Sequence, residues 1–205
     1  MDCNNPQRRD MNRNERIAIL IDLSNLEKSV EGFNEAGWSL DYSDLVRNLA
    51  LERDVVGVTV YDSCPVAENT RRMSLHESLR TNGFEMRVKE PFFNRERSEM
   101  IQKEVDTSIV ADGVMMACKD VVDTVVIVSG DRDMRPAVET IRKVGKSAEV
   151  ASYPIVLSDE LRDSCDRFHD LEDMYILCPG PMTASESAPN IASASVNPKG
   201  CVHGQ

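Results

Sequence analysis

The chain has few of the features that would place it among membrane, disulfide-stapled or broadly basic proteins. Its 205 residues hold no apolar run near the ~20 residues that a bilayer span needs, so no membrane partner is expected. Met1 to Glu15 is polar throughout and lacks the apolar segment of a secretory leader, which predicts a cytoplasmic location. Six cysteines are scattered without a C-x-x-C pair, and only three histidines accompany them, so a structural zinc site is excluded and the cysteines read as reduced thiols. Basic residues are in deficit, 24 Lys and Arg against 35 Asp and Glu, for a net charge of −11. That balance excludes a generic nucleic-acid binder with a broad basic surface. It does not exclude an enzyme whose acids recruit a metal, because a bound cation changes the local field. Hydrophobic residues at 41% and charged ones at 29% describe a soluble globular chain long enough to bury one core.

What is present is an alternation of apolar runs and helical patterns, with no internal repeat. Ile17-Ala18-Ile19-Leu20-Ile21 is a continuous apolar run ending in Asp22, as expected of a strand covered on both faces. Further strands are expected at Val55–Tyr61, Phe84–Val88, Val121–Ser129 and Ser147–Ser152, with Phe168–Leu177 as a last strand or docking segment. Helices are expected over Ser24–Phe33 (capped by Ser24 or Asn25), Asp41–Leu51, Pro65–Asn82, Glu104–Cys118, Arg135–Val144 and Leu157–Cys165. Lys89–Lys103 reads as a charged connection. Residues 1–15 read as a flexible arm, 16–178 as one domain, and 179–205, rich in Pro, Ser, Ala, Gly and Asn, as a disordered tail. This pattern predicts an α/β domain with a mostly parallel sheet. If the first three units wind one way before the chain crosses back, five strands take the order 3-2-1-4-5.

The stretch Val125–Met134 (VVIVSGDRDM) ends an apolar strand at Ser129-Gly130 and delivers Asp131 and Asp133 ahead of a helix. Two readings stand: the aspartates cap that helix, or they are ligands at a strand-to-helix turn. In the order 3-2-1-4-5 the first and fourth strands are neighbours where the winding reverses, so Asp22 joins them in one crevice. Asp106 shares a helical face with Ile109, Val110 and Gly113 and so points toward the sheet. It is either a helix-start carboxylate favoured by the dipole or a fourth member of the cluster. Four converging carboxylates repel one another unless a divalent cation sits among them, and oxygen-only ligands favour Mg²⁺ or Mn²⁺ over zinc.

These residues belong to an ordered set. Ile21-Asp22-x-x-Asn25, then Lys103-x-Val105-Asp106 with Ala111-Asp112, then Ser129-Gly130-Asp131-x-Asp133 occur in sequence, followed by Gly145-Lys146 and by Leu161 with Cys165-Asp166. Over roughly Arg16 to Leu177 the set resembles the NYN domains, the LabA-like branch of the PIN-like nucleases. The resemblance implies a single PIN-like Rossmannoid α/β domain, helices on both faces of a five-stranded sheet ordered 3-2-1-4-5. It also implies Mg²⁺- or Mn²⁺-dependent endoribonuclease action on RNA. It carries over Asp22, Asp106, Asp131 and Asp133 as metal-binding catalytic acids, with Asn25 close to the site. The chain departs from the family at Leu23, where glycine usually follows the first aspartate, and at Met134, which replaces the usual phenylalanine.

Substrate contacts are expected from Arg95, Arg97 and Lys103 as phosphate partners, with Phe92 or Phe93 stacking on a base. A solvated loop with its two aromatics docked in the core is the bland counterpart. Arg71, Arg72 and Arg132 are further candidates, while Asp112 is left outside the site. A phosphatase of the haloacid-dehalogenase type needs an acid two residues after the first aspartate, and Ser24 stands there. The other alternative is a non-catalytic RNA-binding or protein-interaction module on the same fold. Protein partners are unspecified, and a homo-oligomer is left open.

Overall fold

The structure, a computed structural model, describes residues 14–32, 36–64, 70–90, 92–94, 99–101 and 104–179. The elements in chain order begin with β1 (Arg16–Asp22), α1 (Leu23–Ser29), β2 (Trp38–Leu40), α2 (Tyr42–Ala50), β3 (Asp54–Ser63), α3 (Thr70–Thr81) and β4 (Glu85–Lys89). There follow β5 (Phe92–Asn94), β6 (Glu99–Ile101), α4 (Glu104–Cys118), β7 (Thr124–Val128), α5 (Arg135–Lys143), β8 (Ser147–Ser152), α6 (Asp159–Ser164), β9 (Arg167–Asp170) and β10 (Leu177–Pro179).

The central sheet is β4-β3-β1-β7-β8-β9, and every pairing in it is parallel. This is the expected order with a sixth strand added. The start of the Phe168–Leu177 segment pairs with β8 as β9, and the chain then leaves the sheet to pair β10 with β2. Alternation along β1 divides the core. Ile17, Ile19 and Ile21 pack with Leu26, Leu45 and Leu79 beneath α1, α2 and α3. Ala18 and Leu20 pack with Ile109, Val138, Ile141 and Leu161 beneath α4, α5 and α6. Gly113 lets α4 approach closely, since a Cβ there would lie 3.2 Å from Leu20 Cδ1.

Several boundaries differ from the sequence reading. The first helix stops at Ser29 instead of Phe33, and Asp22, not Ser24 or Asn25, is its cap. Lys89–Lys103 contains the short antiparallel pair β5–β6, and the polar stretch around Trp38 forms β2. All three strands are three residues long, too short to leave a periodic signal. Nearly all of the expected arm and tail, at 1–13 and 180–205, lies outside the described residues, as do 65–69 of the expected Pro65–Asn82 helix. Glu15, next to β1, accepts hydrogen bonds from Thr124 and Arg53.

The amino-terminal edge of the sheet is closed by buried charge. Arg53 donates to both oxygens of Glu149 at 3.0 and 2.9 Å and to the carbonyls of Leu49 and Ala50, which end α2. His169 Nε2 lies 2.7 Å from Glu149 on its other side. Burial alone would raise the Glu149 carboxyl, but hydrogen bonds from His169 and Arg53 outweigh it and hold the group at about 2.

Candidate functional site

The opposite, carboxyl-terminal edge gathers the acids. β1 and β7 lie side by side, with Ile21 opposite Val128, so Asp22 and the turn after β7 emerge together. Asp22 is 5% exposed, and the backbone N–H of Asn25 donates to its Oδ1 at 3.1 Å. The Ser129 hydroxyl donates to Asp22 Oδ2 at 3.3 Å and accepts from the Asp131 N–H at 3.2 Å, joining the two acids through one side chain. Asp131 Oδ1 in turn accepts from the Asp133 N–H at 2.9 Å, capping a single 3₁₀ turn, Arg132–Met134. The capping role therefore falls on Asp131 and not on Asp133.

Asp106, in the first turn of α4, completes the cluster. Its carboxyl is pushed up to about 6, first by partial burial and then by the charges of Asp22, Asp131 and Asp133. Asp22 is raised as well, by burial foremost; hydrogen bonds from Asn25 and Ser129 oppose the shift, and Asp131 and Asp62 add to it. Mutual repulsion among hard oxygen donors is what a divalent cation relieves, so the donor chemistry fits Mg²⁺ or Mn²⁺. The grip is not preformed, however. Among the described residues, no three His, Cys, Asp or Glu side chains stand close enough to hold an ion as they are. Asp22 and Asp131 each turn one oxygen to a backbone N–H. Asp131 and Asp133 are solvent-exposed, which leaves them room to rotate.

The backbone under the cluster is fixed by Gly130. A Cβ at this position would fall 2.4 Å from the Val156 carbonyl oxygen and 2.7 Å from Ser152 Oγ. Its N–H donates to Asn25 Oδ1 at 2.9 Å, and its carbonyl accepts from the Ser158 N–H at 3.0 Å. Asn25 thus ties α1 to the β7 turn, and its amide nitrogen has no partner among the described residues. Leu23 is fully buried in the core beneath α1, so it does not narrow the cleft. Met134 is likewise fully buried, under α5. Arg132 is exposed and makes no ion pair among the described residues. Arg95, Arg97 and Lys103, and the side chains of Phe92 and Phe93, lie outside the described residues.

Two further acids hold structural positions: Asp112, which the sequence reading set aside, and Asp62, which it did not single out. Asp112 is buried, accepting from Tyr61 Oη at 2.6 Å and Arg87 at 2.5 Å; it braces α4 against β3 and is neither in the cleft nor on the surface. Asp62, the last residue but one of β3, is fully buried. It accepts two bonds from Arg72 at 2.6 Å, lies 2.6 Å from His76 Nε2, and accepts from Ser24 Oγ at 3.2 Å and the Ser63 N–H at 2.8 Å. Its signal was the one that marked Asp22, an aspartate directly after a β-branched strand.

Comparison with known proteins agrees with this fold. The sequence model of the NYN domain matches residues 16–172. The low amplitude and bright protein LabA of Synechococcus elongatus is 25% identical over 166 residues, covering 79% of this chain and 87% of LabA. A crystal structure of a protein of unknown function from Vibrio parahaemolyticus superposes with a TM-score of 0.66 at 28% identity. That match covers 80% of this chain and 98% of the other.

Proposed function

The chain belongs to the NYN domain family, and from that premise we propose that its acidic edge is the site of a divalent-metal-dependent ribonuclease acting within RNA chains. The observation that carries the reading is the convergence of acids from three segments: Ser129 joins Asp22 to the Asp131 turn at the ends of two neighbouring strands, and Asp106 on α4 feels the charge of both and of Asp133. A protein that only needed stability has no reason to collect uncompensated acids at one edge. Asp22, Asp106 and Asp131 would hold the ion, with Asp133 beside them. When bound, the cation supplies positive charge to the scissile phosphate and acidifies an attacking water. Asn25 presents an amide N–H without a partner among the described residues to a phosphate oxygen, while its carbonyl holds the Gly130 N–H in place. Arg132 adds an exposed cation for the phosphate chain.

The second reading is a metal-free RNA-binding or protein-interaction module on the same fold. What favours it is that Asp22 and Asp131 each commit an oxygen to a helix or turn N–H. One experiment decides between the two. The protein is incubated with single-stranded and structured RNA in Mn²⁺ or Mg²⁺, then with chelator, beside Asp22→Asn and Asp131→Asn. Cleavage is expected to need the metal and both aspartates, with rates falling about a hundredfold or more in either variant. Cleavage that persists with chelator or in both variants removes the metal-nuclease reading.

A further inference from the structure

We propose that the groove between α1 and α3 is a binding site for single-stranded RNA, receiving the nucleotides next to the bond addressed by the acidic cleft. The proposal rests on the nuclease reading above. The groove has a volume of about 1130 Å³ and is not centred on the acids; it lies beyond α1, on the α2–α3 side. That exceeds the ~300–1,000 Å³ of ordinary ligand pockets, as an extended strand requires.

Its charges are unusual for a chain of net charge −11. Lys28 on α1 and Arg71 in the first turn of α3 face the groove, and neither has an ion pair among the described residues. The neighbouring Arg72 is already engaged by Asp62 and Glu27. Glu27 is neutralised in that contact, and Asp41 is turned to the Asp44 N–H. Glu31 remains as the one lining carboxylate without a partner among the described residues. Two cations with no ion pair among the described residues, one on α1 and one on α3, thus share the groove with apolar lining from Leu75 and Phe84 and with the Tyr42 ring. Phosphates call for the cations, and splayed bases call for an apolar and aromatic wall. A duplex keeps its bases inside and would leave that wall without a partner.

The groove also reaches the sheet edge that carries the acids. Ser24 lines it, two residues after Asp22, and hydrogen-bonds Asp62 near the end of β3. Asp62 directly follows Tyr61, the register partner of Asp22. The start of α3, with Arg71, rises from the same sheet edge as the acids.

The test is fluorescence anisotropy of a labelled short single-stranded RNA with the full chain, in chelator so that nothing is cut, across a salt series. Lys28→Gln and Arg71→Gln are exposed changes that should leave thermal melting unaltered. Each should weaken binding about fivefold and reduce the slope of log affinity against log salt by about 0.7, the amount that one fewer neutralised phosphate takes away on a single strand. Glu31→Gln should tighten binding. An unchanged affinity and salt slope in the double variant Lys28→Gln/Arg71→Gln, or no binding by the wild type, overturns the proposal. Cleavage in Mn²⁺ is scored separately with Asp22→Asn. RNA held through Lys28 and Arg71 but never cut keeps the groove and removes the nuclease. RNA cut equally by wild type and double variant does the reverse.

Discussion

Gly130 sets the floor of the cleft by having no side chain. Its α-carbon is pressed against the Val156 carbonyl and Ser152, with the neighbouring amides tied to Asn25 and Ser158. Gly130→Ala forces backbone against backbone, and we expect a loss of about 2–3 kcal/mol in urea unfolding. Activity should fall further than stability explains, because the displaced turn carries Asp131. Asp106 makes the opposite prediction. Its carboxyl sits at about 6 in the folded chain against an ordinary value of 3.8. The folded state therefore binds the proton more tightly, and stability is fullest below the ordinary value and falls as pH rises through about 6. A shift of this size is nominally about 3 kcal/mol, and solvent screening of this partly exposed group reduces it to about 1 kcal/mol. In metal-free protein at pH 7.5, Asp106→Asn should raise stability by that amount, with the gain vanishing near pH 4. Thermal melting in millimolar Mn²⁺ should show the converse, an upward shift in the wild type that the variant loses.

Among the elements, α2 and β8 are joined by one side chain. Arg53 closes the last turn of α2 through the Leu49 and Ala50 carbonyls and also meets both oxygens of Glu149 on β8. Arg53→Met would leave Glu149 buried with only His169, and we expect a loss of about 3–5 kcal/mol by denaturant unfolding. Glu149 is held at about 2 against an ordinary 4.5, so its contribution is complete above 4.5 and disappears as pH falls toward 2. The acid limb of the wild-type stability profile in that window should flatten in Glu149→Gln. This network was not legible in the sequence. Arg53, Glu149 and His169 stand on three separate segments, and nothing in their sequence neighbours hints that they meet. The main strands were legible because Ile17–Ile21 and Val125–Val128 are unbroken apolar runs, as strands covered on both faces must be. Asp22, Asp131 and Asp133 were visible for the same reason, each standing where such a run stops. The partners of these acids were hidden, since Ser129 and Asn25 take their roles from a contact spanning more than a hundred positions of chain.

The molecule as a whole keeps two edges with different tasks. At one, Arg53, Glu149 and His169 satisfy one another out of solvent; at the other, carboxylates gather around a cleft with no cationic partner among the described residues. The comparisons extend along nearly the whole described sheet, both edges included. Between the edges, β1 and β7 are flanked by strands on both sides and buried on both faces. No partial opening exposes their backbone without dismantling both cores, so amides from Ile19 to Ile21 and from Val126 to Val128 should exchange with deuterium only through global unfolding. Their exchange free energies, followed by mass spectrometry in rising denaturant, should merge with the global value. Amides in α6 or the β2–β10 pair should exchange earlier. Asp22 and the Asp131 turn are the direct continuations of those two slowest strands. The spacing between these acids should therefore persist through every fluctuation short of complete unfolding, even while the loops around them breathe.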